Sequence, residues 1–157
     1  MKQGDLRAVA VMVLGLMALP GTVYALGATS TPEPEQADAY KQAEDLVDDE
    51  EYAKAIPLLQ QSIKEKGEYA DALNLLGYSN RKLGDKAKAL TYYTKALNLE
   101  PKHLGANEYL GELYLEMNDL QKAEERLTVL KKACGDCEEY DDLADEIEDY
   151  KEEHGLS

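Results

Sequence analysis

A regular spacing of small residues recurs along most of this chain of 157 residues and restricts the folds that it can adopt. Ala55, Ala89 and Ala123 are equally spaced along the chain, and Gly77 and Gly111 have the same separation. The period is about 34 residues, a length which indicates that one supersecondary unit is used three times. Apolar residues within each period follow the spacing of a helix face, so we expect each unit to be a pair of helices joined by a short turn.

Small residues mark the places where the two helices of a unit are expected to approach closely. Gly77 or Gly111 lies on the first helix, and Ala89 or Ala123 lies on the second. A hairpin of this kind cannot cover its own apolar face, and stacking on neighbouring hairpins buries that face. The expected fold class is therefore all-α, with three helical hairpins stacked as a short solenoid over residues 37–135.

The second unit, from Ala70 to Pro101, has a characteristic set of residues, Leu73, Leu76, Gly77, Ala89, Tyr93, Ala96 and Pro101. With these residues it resembles the tetratricopeptide repeat family. The third unit keeps Leu110, Gly111, Tyr114 and Ala123, but it has Asn107 where the family usually has a large aromatic residue, and it has no closing proline.

The first unit departs furthest from the family pattern. It retains Leu46, Tyr52, Ala55 and Leu59. Pro57 falls inside its second helix, where it is expected to bend the helix or to weaken its first turns. For function, the resemblance implies binding of proteins or peptides.

Residues 1–25 are predicted to be a secretory signal peptide. Lys2 and Arg7 precede an uncharged apolar segment at 8–19, and "VYA" at 23–25 has the small residues of a cleavage site. An uncleaved membrane anchor is the alternative, although this apolar segment is short of the ~20 residues that a spanning helix needs. The expected protein is a small exported bacterial one, periplasmic or secreted. Residues 26–36 are expected to form a flexible linker.

Residues 136–157 are predicted to form an acidic capping helix. One face carries Tyr140, Leu143, Ile147 and Tyr150, and the remainder is mostly acidic. With a formal charge of −15, the whole chain is an unsuitable partner for nucleic acid or an anionic membrane surface. We expect a basic or neutral protein or peptide as the partner, and no membrane contact after signal cleavage.

Cys134 and Cys137 form a C-x-x-C pair between the last repeat and the capping helix, with Asp136 expected as the N-cap of that helix. Acidic neighbours disfavour a reactive thiolate. A c-type haem would need a histidine where Glu138 stands, and zinc would need ligands beyond the poorly spaced His103 and His154. A disulfide that sets the angle of the capping helix remains. A thiol–disulfide redox protein or sensor is the alternative function.

The family resemblance also implies a peptide-binding groove lined by the first helix of each unit. The positions carried over are Tyr40, Glu44, Asn74, Tyr78, Arg81, Glu108 and Glu112. Relatives that clamp a peptide's C-terminal carboxylate use Lys, Asn and Arg at such places, whereas this chain has mostly hydroxyls and carboxylates. Such a lining favours an extended segment that carries Lys or Arg side chains.

No nucleophile, base and orienting group can be assembled from the sequence, so we expect no enzyme, no cofactor and no metal. The predicted function is a protein–protein interaction adaptor or scaffold of the bacterial envelope, which holds a protein segment in its groove. A structural subunit held permanently in a larger envelope complex is a further alternative.

Overall fold

The computed structural model describes residues 38–156, and this part of the chain contains seven α-helices and no strand. The helices are α1 (Ala39–Asp48), α2 (Tyr52–Lys66), α3 (Ala70–Lys82), α4 (Lys86–Leu99), α5 (Leu104–Glu116), α6 (Leu120–Ala133) and α7 (Glu138–Glu153). The first six pair as three hairpins, α1 with α2, α3 with α4 and α5 with α6. The predicted all-α solenoid of three hairpins and a terminal helix is confirmed.

The predicted signal peptide and linker, residues 1–25 and 26–36, lie outside the described residues. Within residues 38–156, none of the helices has the length and apolar character needed to cross a membrane.

The turn inside each hairpin has the same backbone conformation, and it recurs with the period of the sequence. Glu50, Gly84 and Asn118 have φ values of 59°, 84° and 59°. The amide one residue later reaches back to the preceding helix, as when the N–H of Asp85 donates to the carbonyl of Asn80 over 2.8 Å. A left-handed residue of this kind is a common end for a helix, and glycine adopts it with the least strain.

Glu50 is the least suited of the three turn residues, and this leads to a stability prediction. Glu50→Gly should raise the free energy of unfolding by about 1 kcal/mol, because it removes the clash of a Cβ atom at positive φ. Gly84→Ala should lower it by a similar amount. Chemical denaturation of both variants checks the pair, and destabilisation by Glu50→Gly would contradict this account of the turn.

The core runs along the array between successive hairpins. Ala55, Ala89 and Ala123 are fully buried, as their spacing predicted. Leu59 packs with Leu76 in the first cluster of buried residues, which also includes Ala43, Ala55 and Ala72. Small residues at these contacts let the helices approach, while the leucines fill the space between hairpins.

The two glycines of the repeat serve different contacts. A Cβ atom on Gly77 would lie 2.5 Å from the ring of Tyr93, in the second helix of the same hairpin. A Cβ atom on Gly111 would instead lie 2.5 Å from Leu143 of α7. The sequence predicts that Gly111 lets the second helix of its own hairpin pack closely. In the structure, Gly111 instead lets α7 pack closely against α5.

Helix α7 begins one residue later than the sequence suggests. Its N-cap is Cys137, and the expected N-cap Asp136 was wrong. The Asp136 carboxylate instead accepts from the Lys131 ammonium over 2.8 Å. Gly135 has a φ of 79° and supplies the turn between Cys134, which ends α6, and Cys137.

Two residues that depart from the family pattern are accommodated. Helix α2 continues without a break through Pro57, which has no N–H to donate to the preceding turn. Asn107 is fully buried, and its amide donates to the carbonyls of Pro101 and His103 over 3.2 and 2.9 Å. Asn107 therefore ties the start of α5 to the loop before it, where an aromatic residue would only fill space.

Candidate functional site

The candidate site is the inner face of the array, formed by the first helix of each hairpin. Helices α1, α3 and α5 contact one another in order, and α7 packs against α5. The predicted groove residues lie on these helices. Tyr40 and Glu44 lie on α1, Asn74, Tyr78 and Arg81 on α3, and Glu108 and Glu112 on α5.

Arg81 is at the centre of this face, but it is 8% exposed and paired within the protein. Its guanidinium lies 2.5 Å from the Glu112 carboxylate and 3.5 Å from that of Glu116. Glu116 also pairs with Lys86 over 3.1 Å. Arg81 is the one cation among the predicted groove residues. Because it is paired with two glutamates of α5, it is not free to bind an anionic ligand.

Tyrosine rings surround Arg81. The rings of Tyr78 and Tyr109 have centroids 4.8 Å apart, and the Arg81 guanidinium carbon lies 5.7 and 5.8 Å from them. Tyr52 of α2 meets Tyr78 at 5.9 Å. Contacts of this geometry between cations and aromatic rings hold the rings in place. The half-buried Tyr78 thus lies in a fixed aromatic surface to which each of the three hairpins contributes a ring.

The other predicted residues near α1 form a separate group. Tyr40 packs at 5.7 Å from Tyr69, and Glu44 pairs with Lys41 over 3.5 Å. Burial, with the nearby Glu44 and Asp71, raises the pKa of Tyr40. Asn74 is 7% exposed, and its side-chain oxygen has no hydrogen-bond donor within the described chain. The structure thus joins Tyr78, Arg81 and Glu112 directly, but not Tyr40 or Glu44 with them.

Glu108 is the most perturbed carboxyl group of the face. It is 6% exposed, and burial raises its pKa to about 8, with further upward contributions from Glu112, Asp142 and Glu139. Arg81 acts in the opposite direction. A carboxyl group in this setting resists ionisation because a buried charge without a partner is costly.

This raised pKa predicts a pH-dependent stability. Folded Glu108 titrates at about 8, above its ordinary value of 4.5, so between these pH values the folded chain holds a proton that the unfolded chain has released. The free energy of unfolding should therefore fall as the pH rises through this range, by at most about 1.4 kcal/mol per pH unit. Glu108→Gln should remove this contribution to the slope.

Urea unfolding between pH 5 and 9 measures that slope. Asp145→Asn removes the same charge from an exposed position on α7 and is the matched control, which should keep the wild-type slope. An unchanged slope in Glu108→Gln would show that Glu108 ionises normally in the folded chain.

Helix α7 extends the acidic part of the groove. Asp142 and Glu146 lie one repeat period after Glu108 and Glu112, so the same period predicts their position on the inner face. Burial raises the pKa of Glu146, with Glu112 and Asp149 adding to the effect. The predicted groove residues did not include these two, although the repeat period was the signal for them. Tyr109 was also missed, because it lies beside the predicted rows.

A cavity of about 340 Å³ lies between the ends of α5 and α7. Its lining is Leu115, Glu116, Asn118, Glu146, Asp149, Tyr150, Glu153 and His154. Four of these residues carry carboxylates, so the cavity continues the negative character of the inner face.

The cysteine pair lies at the junction of α6 and α7. The two sulfur atoms are joined as a disulfide with a length of 2.06 Å. No group of three or more His, Cys, Asp or Glu side chains within residues 38–156 has the arrangement of a metal site.

Comparison with protein families gives two matches, both described as tetratricopeptide repeat. They cover residues 40–103 and 81–147, so the second includes most of α7. A search of curated proteins found no significant relative.

Solved structures of the same architecture are numerous. The Sgt2 tetratricopeptide domain from Aspergillus fumigatus superposes with a TM-score of 0.68 at 22% identity, covering 80% of this chain and 85% of that one. The type III secretion chaperone SycD of Yersinia enterocolitica, in complex with a peptide of the translocator YopD, gives 0.63 at 18% identity, covering 75% and 90%. The first such domain of Spaghetti (RPAP3), bound to the HSP90 peptide SRMEEVD, gives 0.65 at 12%, covering 74% and 90%.

Proposed function

Since this chain belongs to the tetratricopeptide repeat family, we propose that it is a protein–protein interaction adaptor that holds a partner segment on its inner face. The observation that carries the proposal is the composition of that face. It combines fixed tyrosine rings with several carboxylates, while its one central cation, Arg81, is already paired with Glu112 and Glu116. Such a surface favours a basic or neutral segment.

The Spaghetti domain and SycD each have a peptide bound, which supports this use of the fold. The HSP90 peptide bound by Spaghetti is SRMEEVD, which has three acidic residues and one arginine. An acidic segment of that kind is a poor match for the inner face here, because the carboxylates on α5 and α7 would repel it. The proposed partner therefore differs in charge from that peptide.

Selection from a random library of displayed dodecapeptides tests the proposal. The bait is the exported form, residues 26–157, and bound peptides are then measured against Tyr78→Ala. We expect the selected peptides to lose about 10-fold or more in affinity for this variant, because Tyr78 contributes a half-buried aromatic contact.

Tyr140→Ala is the matched control for the groove change. Tyr140 is also half-buried, but its ring lies 4.6 Å from the Lys131 ammonium of α6 and packs on the cluster that includes Leu130 and Leu143. Peptides that bind both variants equally, or a library that yields no binder, would refute binding in the groove.

For the bacterial envelope, the proposal rests on the signal-like sequence at residues 1–25. Cell fractionation followed by N-terminal sequencing tests it. A mature chain that begins near Leu26 in the periplasmic or secreted fraction supports the proposal. An intact N-terminus in the cytoplasm refutes it.

The cysteine pair is proposed to be a structural link that fixes the start of α7. On this view the Cys134→Ser plus Cys137→Ser variant still binds the selected peptides, and the pair is reduced only below about −300 mV. A more oxidising potential, together with mixed disulfides to partner proteins, would instead favour a thiol–disulfide redox function.

A further inference from the structure

Glu108 lacks the partner that a buried carboxyl group normally has. It is 6% exposed, and no donor within the described residues forms a hydrogen bond with its side chain. Its carboxyl oxygens are not fully enclosed, so the group still reaches the surface. Most buried polar groups in folded proteins have such a partner. Arg81, the cation that acts on Glu108, is engaged by Glu112 and Glu116.

The charged groups around Glu108 are mostly acidic, so its lack of a partner is all the more unfavourable. Glu112 lies on the same helix, and Glu139 and Asp142 act on Glu108 from α7. Neither Glu139 nor Asp142 forms an ion pair in the part of the chain that the structure describes. Glu108 is thus acted on by three carboxyl groups, from α5 and α7, and by one guanidinium, from α3.

Two kinds of occupant could balance this charge, a metal ion or a cationic side chain. The carboxyl groups do not converge with metal-binding geometry within residues 38–156. A lysine or arginine side chain fits better, because its long apolar stem can lie along the protein surface while the charge at its far end reaches the carboxyl group. Its N–H groups would form charge-assisted hydrogen bonds with the carboxylate.

We propose that Glu108 lies at the bottom of a subsite between α5 and α7, and that this subsite binds one lysine or arginine side chain of the bound segment. This inference rests on the proposed function, because the side chain belongs to a peptide held on the inner face. It adds that one basic residue is required at a fixed position of the partner, and that α7 forms one wall of the subsite.

Proton release is a further consequence. Glu108 carries its proton at pH 7, since its pKa lies near 8, and a bound cation would favour the ionised form. The other charged groups that face it are Glu112 from α5, Glu139 and Asp142 from α7, and Arg81 from α3. Binding at pH 7 should therefore release close to one proton from the wild-type protein.

The test uses peptides selected on residues 26–157 from the dodecapeptide library, followed by a double-mutant cycle. A selected peptide is compared with a copy in which norleucine replaces its Lys or Arg, against wild type, Glu108→Gln and Asp145→Asn. We expect the norleucine change to weaken binding about 10-fold or more for wild type and for Asp145→Asn, but by less than about 3-fold for Glu108→Gln.

Calorimetry in buffers of different ionisation enthalpy gives a second readout. The wild type should release a proton on binding, whereas Glu108→Gln should release none. Peptides that depend on Tyr78 but contain no fixed Lys or Arg, or that bind Glu108→Gln equally well, would overturn this inference and leave the groove function intact. Peptides insensitive to Tyr78→Ala, or no binders at all, would overturn both.

Discussion

Replacing Arg81 with methionine is expected to lower the free energy of unfolding by about 3–5 kcal/mol. The guanidinium is almost fully buried, and its removal leaves the Glu112 carboxylate with no compensating charge. Methionine keeps much of the apolar volume, so the loss should come mainly from this uncompensated carboxylate. Denaturation in urea, monitored by circular dichroism, measures it.

Lys82→Met is the matched control for this change. It removes the same charge one residue along α3, from an exposed position whose ammonium lies 5.2 Å from the Tyr78 ring. We expect it to change stability by no more than about 0.5 kcal/mol. Adding Glu112→Gln to the Arg81→Met variant should recover part of the loss. If all three variants lose equal stability, Arg81 has no special electrostatic role in the fold.

The second large effect is expected at the contact between α5 and α7. Leu143 is fully buried against Gly111, so Leu143→Ala should lower the free energy of unfolding by about 2–5 kcal/mol. Gly111→Ala alone should cost roughly 1 kcal/mol, because overpacking against Leu143 outweighs the better helix propensity of alanine.

Combining the two substitutions should reverse the sign of the Gly111 effect. With Leu143 shortened, the new methyl group at position 111 enters vacated space, and alanine then stabilises α5 by up to about 1 kcal/mol. Urea denaturation of the two single variants and the double variant measures this. If the effects of the two substitutions on the unfolding midpoint simply add, α7 does not pack against Gly111.

The repeat period was sufficient to predict the hairpins, because each depends on contacts that recur within one period. Fully buried Ala55, Ala89 and Ala123 illustrate this. The partner of Gly111 could not be predicted in the same way. A small residue indicates that something packs closely, but the sequence does not show whether its own hairpin or the next helix does so.

The chemistry of the groove was less predictable than the fold. Arg81 was placed on the correct helix, yet its burial and its pairing with Glu112 depend on how α3 and α5 are aligned. The raised pKa of Glu108 arises from several elements together and has no local sequence signal. The Asp136 prediction failed because one residue of turn geometry decides which residue takes the N-cap position of α7.

Helix α7 has neighbours on one side only, since it contacts α5 and α6 and no other described helix. In a linear array, an end element opens at a lower free energy than the interior, so its amides should exchange with solvent before those of α3 or α5. The disulfide holds its first turn to α6, so opening is expected to spread from the His154 end toward Cys137. A segment bridging α3 and α7 would slow this exchange, which makes occupancy of the groove measurable far from the contact itself.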